Sequence, residues 1–404
     1  MKRYPKLRWP QRKVVPADMY SVADYGTMIA DRVRMDAYMQ ALRSAVKPGA
    51  VVVDIGTGTG IFALLACRFG ARRVYAIEPN DAIQVAREIA RANGYVERIE
   101  FLQMISTRAV LPEKADVIVS DLRGRLPLCE HHIPSITDAR QRFLVPGGKL
   151  IPQCDTLWAA GVEAPQLYRD LVGLWDETGI DFDMEEARRI AVHTTCKGKV
   201  GPDQLLLEPQ SWATLDYATV ESPGLRGTLS WTATRAGTVH GLVVWFDSTL
   251  AEGVQISNAP DKPALIYSRV FFPWEKPVSL AVGDTVCVAL QADLVGADYV
   301  WRWETCVRGS DAGRPLKAHF EQSTFSGAPL SAKQLRKHAA DYVPVLDEEG
   351  QIDRFLLAQI DGQTSQEAIA RRAAERFPAR FTRWEDALTR IAELSQKYSC
   401  SRPG

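Results

Sequence analysis

The sequence carries no net charge: 49 basic residues balance 49 acidic ones. No long-range field therefore steers it toward nucleic acid or an anionic membrane, and neither is expected as a partner. It has no apolar run of transmembrane length. Its basic N-terminus is not followed by an apolar stretch, which argues against a secretion signal. Cysteine is sparse, with seven residues in 404 and no C-x-x-C pair. That argues against structural zinc and fits a reducing, cytoplasmic compartment. His131 and His132 are adjacent, a poor spacing for one ion, so no metal site is expected.

What is present is ordinary for a soluble globular protein: 46% apolar and 24% charged residues. The length predicts two or three domains. Residues 1–18 read as a basic tail, with Lys2, Arg3, Lys6, Arg8, Arg12 and Lys13 among the first fifteen and no acid. A solvated tail and a contact to an acidic partner both fit that composition.

The most informative segment is Val51-Val-Val-Asp54-Ile-Gly56-Thr57-Gly58-Thr-Gly60. The β-branched run predicts a strand buried on both faces. The glycines let the backbone turn tightly and approach a ligand. Residues 61–69 read as the following helix. Glu78 ends the next apolar run, where a carboxylate can accept both hydroxyls of a ribose. The module is read as a nucleoside site.

Strand and helix patterns alternate over residues 50–152, which predicts a mainly parallel sheet with helices on both faces, an α/β Rossmann-like domain over 19–152. Met28, Ile29, Val33, Tyr38 and Leu42 place one or two helices before the first strand. After Pro152 the texture changes to short runs rich in Val, Thr, Trp and Phe. These predict an antiparallel sandwich or barrel over 153–330, with a helical insert near 166–190. Residues 331–404 read as a small helical or winged-helix domain. Capping boxes are expected at Thr364–Glu367 and Thr382–Glu385.

In combination these pieces resemble the protein arginine methyltransferases, class I methyltransferases that use S-adenosylmethionine. The resemblance runs over roughly residues 19–307. It rests on Met28-Ile-Ala-Asp31-Arg-Val-Arg34-Met-Asp-Ala-Tyr38, the Asp54–Gly60 loop, Gly70–Glu78, Ser120-Asp121-Leu-Arg123-Gly124 and Glu130. It implies a cofactor site built from Tyr25, Met28, Arg34, Asp54, Gly56, Thr57, Gly58, Glu78, Ser106 and Thr107, with Arg34 on the cofactor's carboxylate. It also implies a β-barrel after the nucleotide domain and a helical arm, residues 166–190, that makes a homodimer. An apolar stripe of Leu171, Trp175 and Phe182 would form the contact.

The resemblance makes Asp121 and Glu130 the catalytic pair. A sulfonium donor and a guanidinium acceptor are both cations, and bringing them together is costly unless anions are in place. Two carboxylates can grip the guanidinium and leave one nitrogen aimed at the methyl. The sequence departs from the family at this point: Asp121 replaces a glutamate, and Leu122-Arg123 replaces Trp-Met. Arg123 and Arg125 flank the acids and can neutralise them; alternatively, Arg123 binds a carboxylate on the substrate. The family's Thr-His-Trp falls near Leu265-Ile266-Tyr267, where Tyr267 keeps an aromatic ring beside the substrate. Thr107 stands where an acid usually meets the adenine. The expected acceptor is an arginine-containing peptide or protein, or a free arginine-like molecule. The other readings are a methyltransferase acting on another amine and a non-catalytic cofactor-binding homologue. Residues 346–370 faintly resemble small winged-helix domains that bind leader peptides, which gives the C-terminal domain a recruiting role.

Overall fold

The computed structural model describes residues 20–399 except 178, 180, 312 and 330; the basic tail lies outside them. The chain divides into two compact units, Met1–Pro329 and Leu330–Gly404.

The first unit opens with α1, Val22–Ala30, and α2, Arg32–Ala45. Asp31 separates them. Its backbone is non-helical, and its carboxylate caps α2 by accepting the Arg34 N–H at 3.1 Å. The helical pattern of residues 28–42 is thus two helices. Ile29 and Val33, read as apolar points, are exposed, while Tyr38 and Leu42 are fully buried.

Next come β1 (Val51–Ile55), α3 (Ile61–Arg68), β2 (Arg73–Ile77), α4 (Ala82–Ala92), β3 (Ile99–Leu102), β4 (Ala115–Ser120), α5 (His132–Phe143) and β5 (Leu144–Ile151). The five strands form a parallel sheet in the order β3-β2-β1-β4-β5. Val51, Val52 and Val53 are wholly enclosed, as a strand covered on both faces requires. The order reverses between β1 and β4. In such sheets the crevice outside the strand C-termini at this point receives the ligand.

After Pro152 the chain forms β6 (Cys154–Val162), α6 (Pro165–Leu171), α7 (Glu185–Ala191), β7 (Cys196–Lys197), β8 (Gln210–Asp216), β9 (Leu225–Thr232), β10 (Gly237–Ala251), β11 (Val254–Ser257), β12 (Val270–Leu280), β13 (Thr285–Val295), β14 (Asp298–Arg308) and β15 (Leu316–Ser323). They build two antiparallel sheets, β7-β12-β10-β6-β8 with β11 on β10, and β15-β14-β13-β9. Trp274, Trp303, Phe246 and Phe272 fill the core. Residues 265–267 form a loop, which the Ile266 N–H ties to the Asp31 carboxylate at 2.7 Å.

The insert between β6 and β7 carries α6, a short 3-10 turn and α7. Leu171 packs inward on Val172 and Tyr168. The exposed apolar residues are instead Leu174, Trp175 and Phe182.

In the second unit, α8 (Ala332–Arg336), α9 (Glu348–Ala358), α10 (Gln366–Arg376) and α11 (Trp384–Tyr398) contain no strand between them among the described residues, so this unit is helical there. Ile352, Leu356, Ile369, Phe381 and Ile391 form its core. The cap of α10 is Ser365, which accepts the Ala368 N–H at 3.3 Å; Thr364 bonds to Asp361 instead. Position 383 precedes α11, and no side chain caps it. Neither expected box forms: α10 begins one residue later, with Ser365 as a simple cap whose third helical residue is Ala368, and α11 begins after Arg383 with no side-chain cap.

Candidate active site

The glycine loop follows β1 directly. Gly56 and Gly58 have φ of 73° and 53°, a region that L side chains rarely adopt. A Cβ on Gly56 would collide with Leu122, and one on Gly58 with the Tyr25 ring. Gly60, at φ 87°, would bring a Cβ to 2.9 Å from the Ala86 Cβ, so it lets α3 pack on α4.

Two acids brace this loop. Glu78, one residue past β2, accepts the Gly58 N–H at 3.0 Å and the Asn80 N–H at 2.9 Å. Burial raises its pKa, and those two bonds resist the rise. Asp54 accepts the Thr57 hydroxyl at 2.5 Å and the Ala63 N–H at 3.0 Å through Oδ2. Burial pushes its carboxyl up to about 7. Its Oδ1 is enclosed and has no hydrogen-bond partner. Tyr25 and Met28 are the half-buried residues of α1, and Tyr25 lies over Gly58. Ser106 is buried and Thr107 exposed in the short turn after β3. The arrangement fits the expected cofactor: a side-chain-free cradle, a carboxylate beside it with lone pairs left over, and an unanswered buried oxygen.

The next cluster forms where β4 ends. Asp121 Oδ2 accepts Arg34 Nη2 at 2.6 Å, Arg34 Nε at 2.8 Å and the Tyr267 hydroxyl. Asp121 Oδ1 accepts Arg123 Nε at 3.1 Å. Burial pushes the Asp121 carboxyl up, but the two guanidiniums outweigh it, and it sits below the usual carboxylate range. Asp121 is therefore not a free arm of a clamp. Its charge is already answered by two arginines of the same chain.

Arg123 does not face substrate either. Its side chain is 0% exposed. Nη1 donates to Asp155 at 3.1 Å and to Ser248 at 2.6 Å, and Nη2 to the Tyr38 hydroxyl. The guanidinium lies 5.3 Å from the centres of both the Phe246 and Tyr267 rings. Asp155 also accepts the Tyr217 hydroxyl at 2.6 Å. That leaves the Tyr217 oxygen to accept from His132 Nε2 at 2.8 Å. Burial lowers the His132 pKa to about 3, so the ring is neutral and carries its proton on Nε2. Tyr267, read as a ring beside the substrate, is buried and bonds to Asp121 and Arg34. Arg34, expected on a cofactor carboxylate, is on Asp121 here and also donates to the Met28 carbonyl at 3.1 Å.

Asp155, Ser248 and Tyr217 did not emerge from the sequence, which singled out Tyr38 only as a helix residue and His132 only as a poor metal ligand. One signal was available: Asp155 is a lone acid at the start of a strand whose following residues are mostly apolar, which implies a buried partner.

Glu130 differs from Asp121 in every respect. It is exposed, and it makes no hydrogen bond or ion pair with any described residue. Its φ is 42°, one of two positive values among described non-glycine residues. Such backbone costs about 1–3 kcal/mol and is concentrated at functional sites. The loop before it is tight: a Cβ on Gly124 would stand 2.7 Å from Cys129 Sγ. Elsewhere, Glu304, His319 and Glu321 bring ligand atoms within 4.8 Å of one another on an exposed face. Exposed groups of this kind are common without an ion.

Comparisons with known proteins agree with this division. A family model described as ribosomal protein L11 methyltransferase matches residues 36–152, and one described as the arginine methyltransferase oligomerization subdomain matches residues 153–295. The chain is 31% identical over 270 residues to an arginine N(omega)-methyltransferase of Streptomyces achromogenes subsp. streptozoticus, covering 65% of this chain and 74% of the relative. It is 31% identical over 301 residues to protein arginine N-methyltransferase 2 of Homo sapiens, covering 69% of each. A probable protein arginine N-methyltransferase 6 of Arabidopsis thaliana is 30% identical, and the match spans 59% of this chain and 55% of that one. Among solved structures, protein arginine methyltransferase 10 of Arabidopsis thaliana has a TM-score of 0.66 at 23% identity, covering 75% of this chain and 97% of the other. This likeness shows the shared fold.

Proposed function

As a member of the arginine N-methyltransferase family, the chain is an S-adenosylmethionine-dependent methyltransferase, and we propose that its methyl acceptor is a guanidino nitrogen held by Glu130. The observation that carries this reading is the placement of Glu130: an unpaired carboxylate in a left-handed backbone, on the loop that leaves β4 at the switch point of the sheet.

When bound, S-adenosylmethionine supplies a methyl group on a sulfonium. Gly56 and Gly58 give the backbone room for it, and Glu78 offers its remaining lone pairs to hydroxyl donors. Arg34 offers a guanidinium to an acidic group at the α1 side. Glu130 offsets the positive charge of the acceptor and fixes its orientation. Asp121 acts one step back, holding Arg34 and Tyr267 in place. No strong base is needed, because the proton can leave as the methyl arrives.

Incubation with donor carrying a labelled methyl, followed by mass spectrometry of arginine and arginine peptides, tests the reading. Label on a guanidino nitrogen is expected. Glu78→Ala is expected to weaken cofactor binding at least tenfold by calorimetry, and unchanged affinity would mean that the cofactor site is misplaced.

Assembly as a homodimer belongs to the same proposal. It is supported by the match to an oligomerization subdomain and by Leu174, Trp175 and Phe182, which are exposed together on the insert. Light scattering of the protein should give a dimer mass, and replacing Trp175 and Phe182 by serine should give the monomer. A monomeric wild type would overturn the assignment. The six described cysteines, all unpaired, support a reducing cytoplasmic location. No described helix is long and apolar enough to cross a membrane. The same proposal gives the C-terminal unit a role in substrate recruitment, since its described helices close on an apolar core of their own and carry none of the candidate catalytic residues.

A further inference from the structure

The loop from Asp121 to Glu130 carries two acids and two arginines, but it does not present four charges. Asp121 and Arg123 are spent on each other and on buried partners. Arg125 is exposed and, like Glu130, has no hydrogen bond or ion pair with any described residue. The loop folds back on itself here: a Cβ on Gly124 would stand 2.7 Å from Cys129 Sγ, so Arg125 and Glu130, the next residues after each, leave the same close approach. The loop therefore offers one cation and one anion to whatever approaches.

That pattern matches a particular ligand. A purely cationic acceptor gains from Glu130 and is repelled by Arg125. An acceptor bearing both a guanidinium and a carboxylate satisfies both residues. Two exposed long side chains without partners also have freedom to adjust to a flexible molecule, and a guanidinium grips a carboxylate through two parallel bonds.

Resting on the acceptor reading above, we propose that Arg125 is a substrate-binding residue that selects guanidino compounds carrying their own carboxylate, with Glu130 on the guanidinium and Arg125 on the acid. The substrate class is then a zwitterionic arginine-like small molecule or an arginine next to an acidic group, in preference to a run of basic residues. This role was open to Arg123 on the sequence, and burial removes Arg123 from it.

The full-length protein with S-adenosylmethionine tests this against two acceptors that differ in one group, arginine and argininamide. The amide keeps the guanidinium and the amine but has no carboxylate. Wild-type protein is expected to favour arginine by about 10–100-fold in kcat/KM, the range of one charge-assisted contact. Arg125→Gln lies at the surface, where the fold does not depend on it. It is expected to raise KM for arginine by a similar factor, with kcat little changed, and to lower KM for argininamide as the repulsion is removed, the signature of altered uniform binding. Arg125→Lys should recover part of the loss. Equal use of both acceptors by the wild type, or an equal change for both in Arg125→Gln, overturns the inference and leaves the acceptor reading intact. Methyl transfer to no guanidine at all overturns the acceptor reading itself.

Discussion

Glu130→Gln is expected to lower kcat by about 10²–10³ while cofactor affinity stays within about a factor of two. The substitution keeps size and hydrogen-bonding reach and removes the charge. In a site with a sulfonium and a guanidinium, that charge offsets two cations during methyl transfer. The expected loss is large because no second free carboxylate stands by: Asp121 is already committed to Arg34 and Arg123. Single-turnover rates with saturating donor, beside calorimetry of cofactor binding, separate the two effects. A variant that methylates at the wild-type rate would remove Glu130 from the chemistry, and with it the guanidinium grip.

Arg123→Met is expected to cost about 3–5 kcal/mol of folding stability. The replacement is apolar and of similar length, so packing is largely conserved. What it removes is the cation between Asp121 and Asp155, whose side chains are 7% and 0% exposed. A buried carboxylate without its partner is far more costly than a missing pair. The double variant Arg123→Met/Asp155→Asn should therefore recover much of the loss. Urea denaturation of wild type, single and double variants measures this. A single variant within about 1 kcal/mol of wild type would mean that the cluster tolerates the loss of its central cation.

The parts of this molecule that were legible in its sequence are those set by local chain geometry. The Val51–Gly60 segment dictates a covered strand and a tight turn, and Glu78 follows because the second strand must end at the same edge. The change of texture at Pro152 marks the onset of antiparallel pairing for the same reason. The cap of α10 slipped by one residue where Thr364 and Ser365 stand side by side, and the cap expected for α11 is not made. The Asp121 cluster was only partly legible for a different reason. Its outcome depends on Asp155 and Ser248, 32 and 125 positions after Arg123. Nothing in the loop itself shows which of its charges will find partners. Family resemblance paired Asp121 with Glu130 by position, whereas burial pairs Asp121 with Arg34 and Arg123.

The Arg123 cluster also limits how this protein can change over evolutionary time. Replacing Arg123 strands Asp155 and leaves Asp121 with Arg34 alone, and replacing Asp155 alone leaves a buried guanidinium short of charge. Single-step drift at these positions passes through unstable forms, and compensated double changes do not. Arg125 carries no such obligation, since it is exposed and can be exchanged without leaving a buried charge behind. Preference among acceptors is thus free to diversify at the mouth of the site, while the charge balance beneath it is inherited as a block.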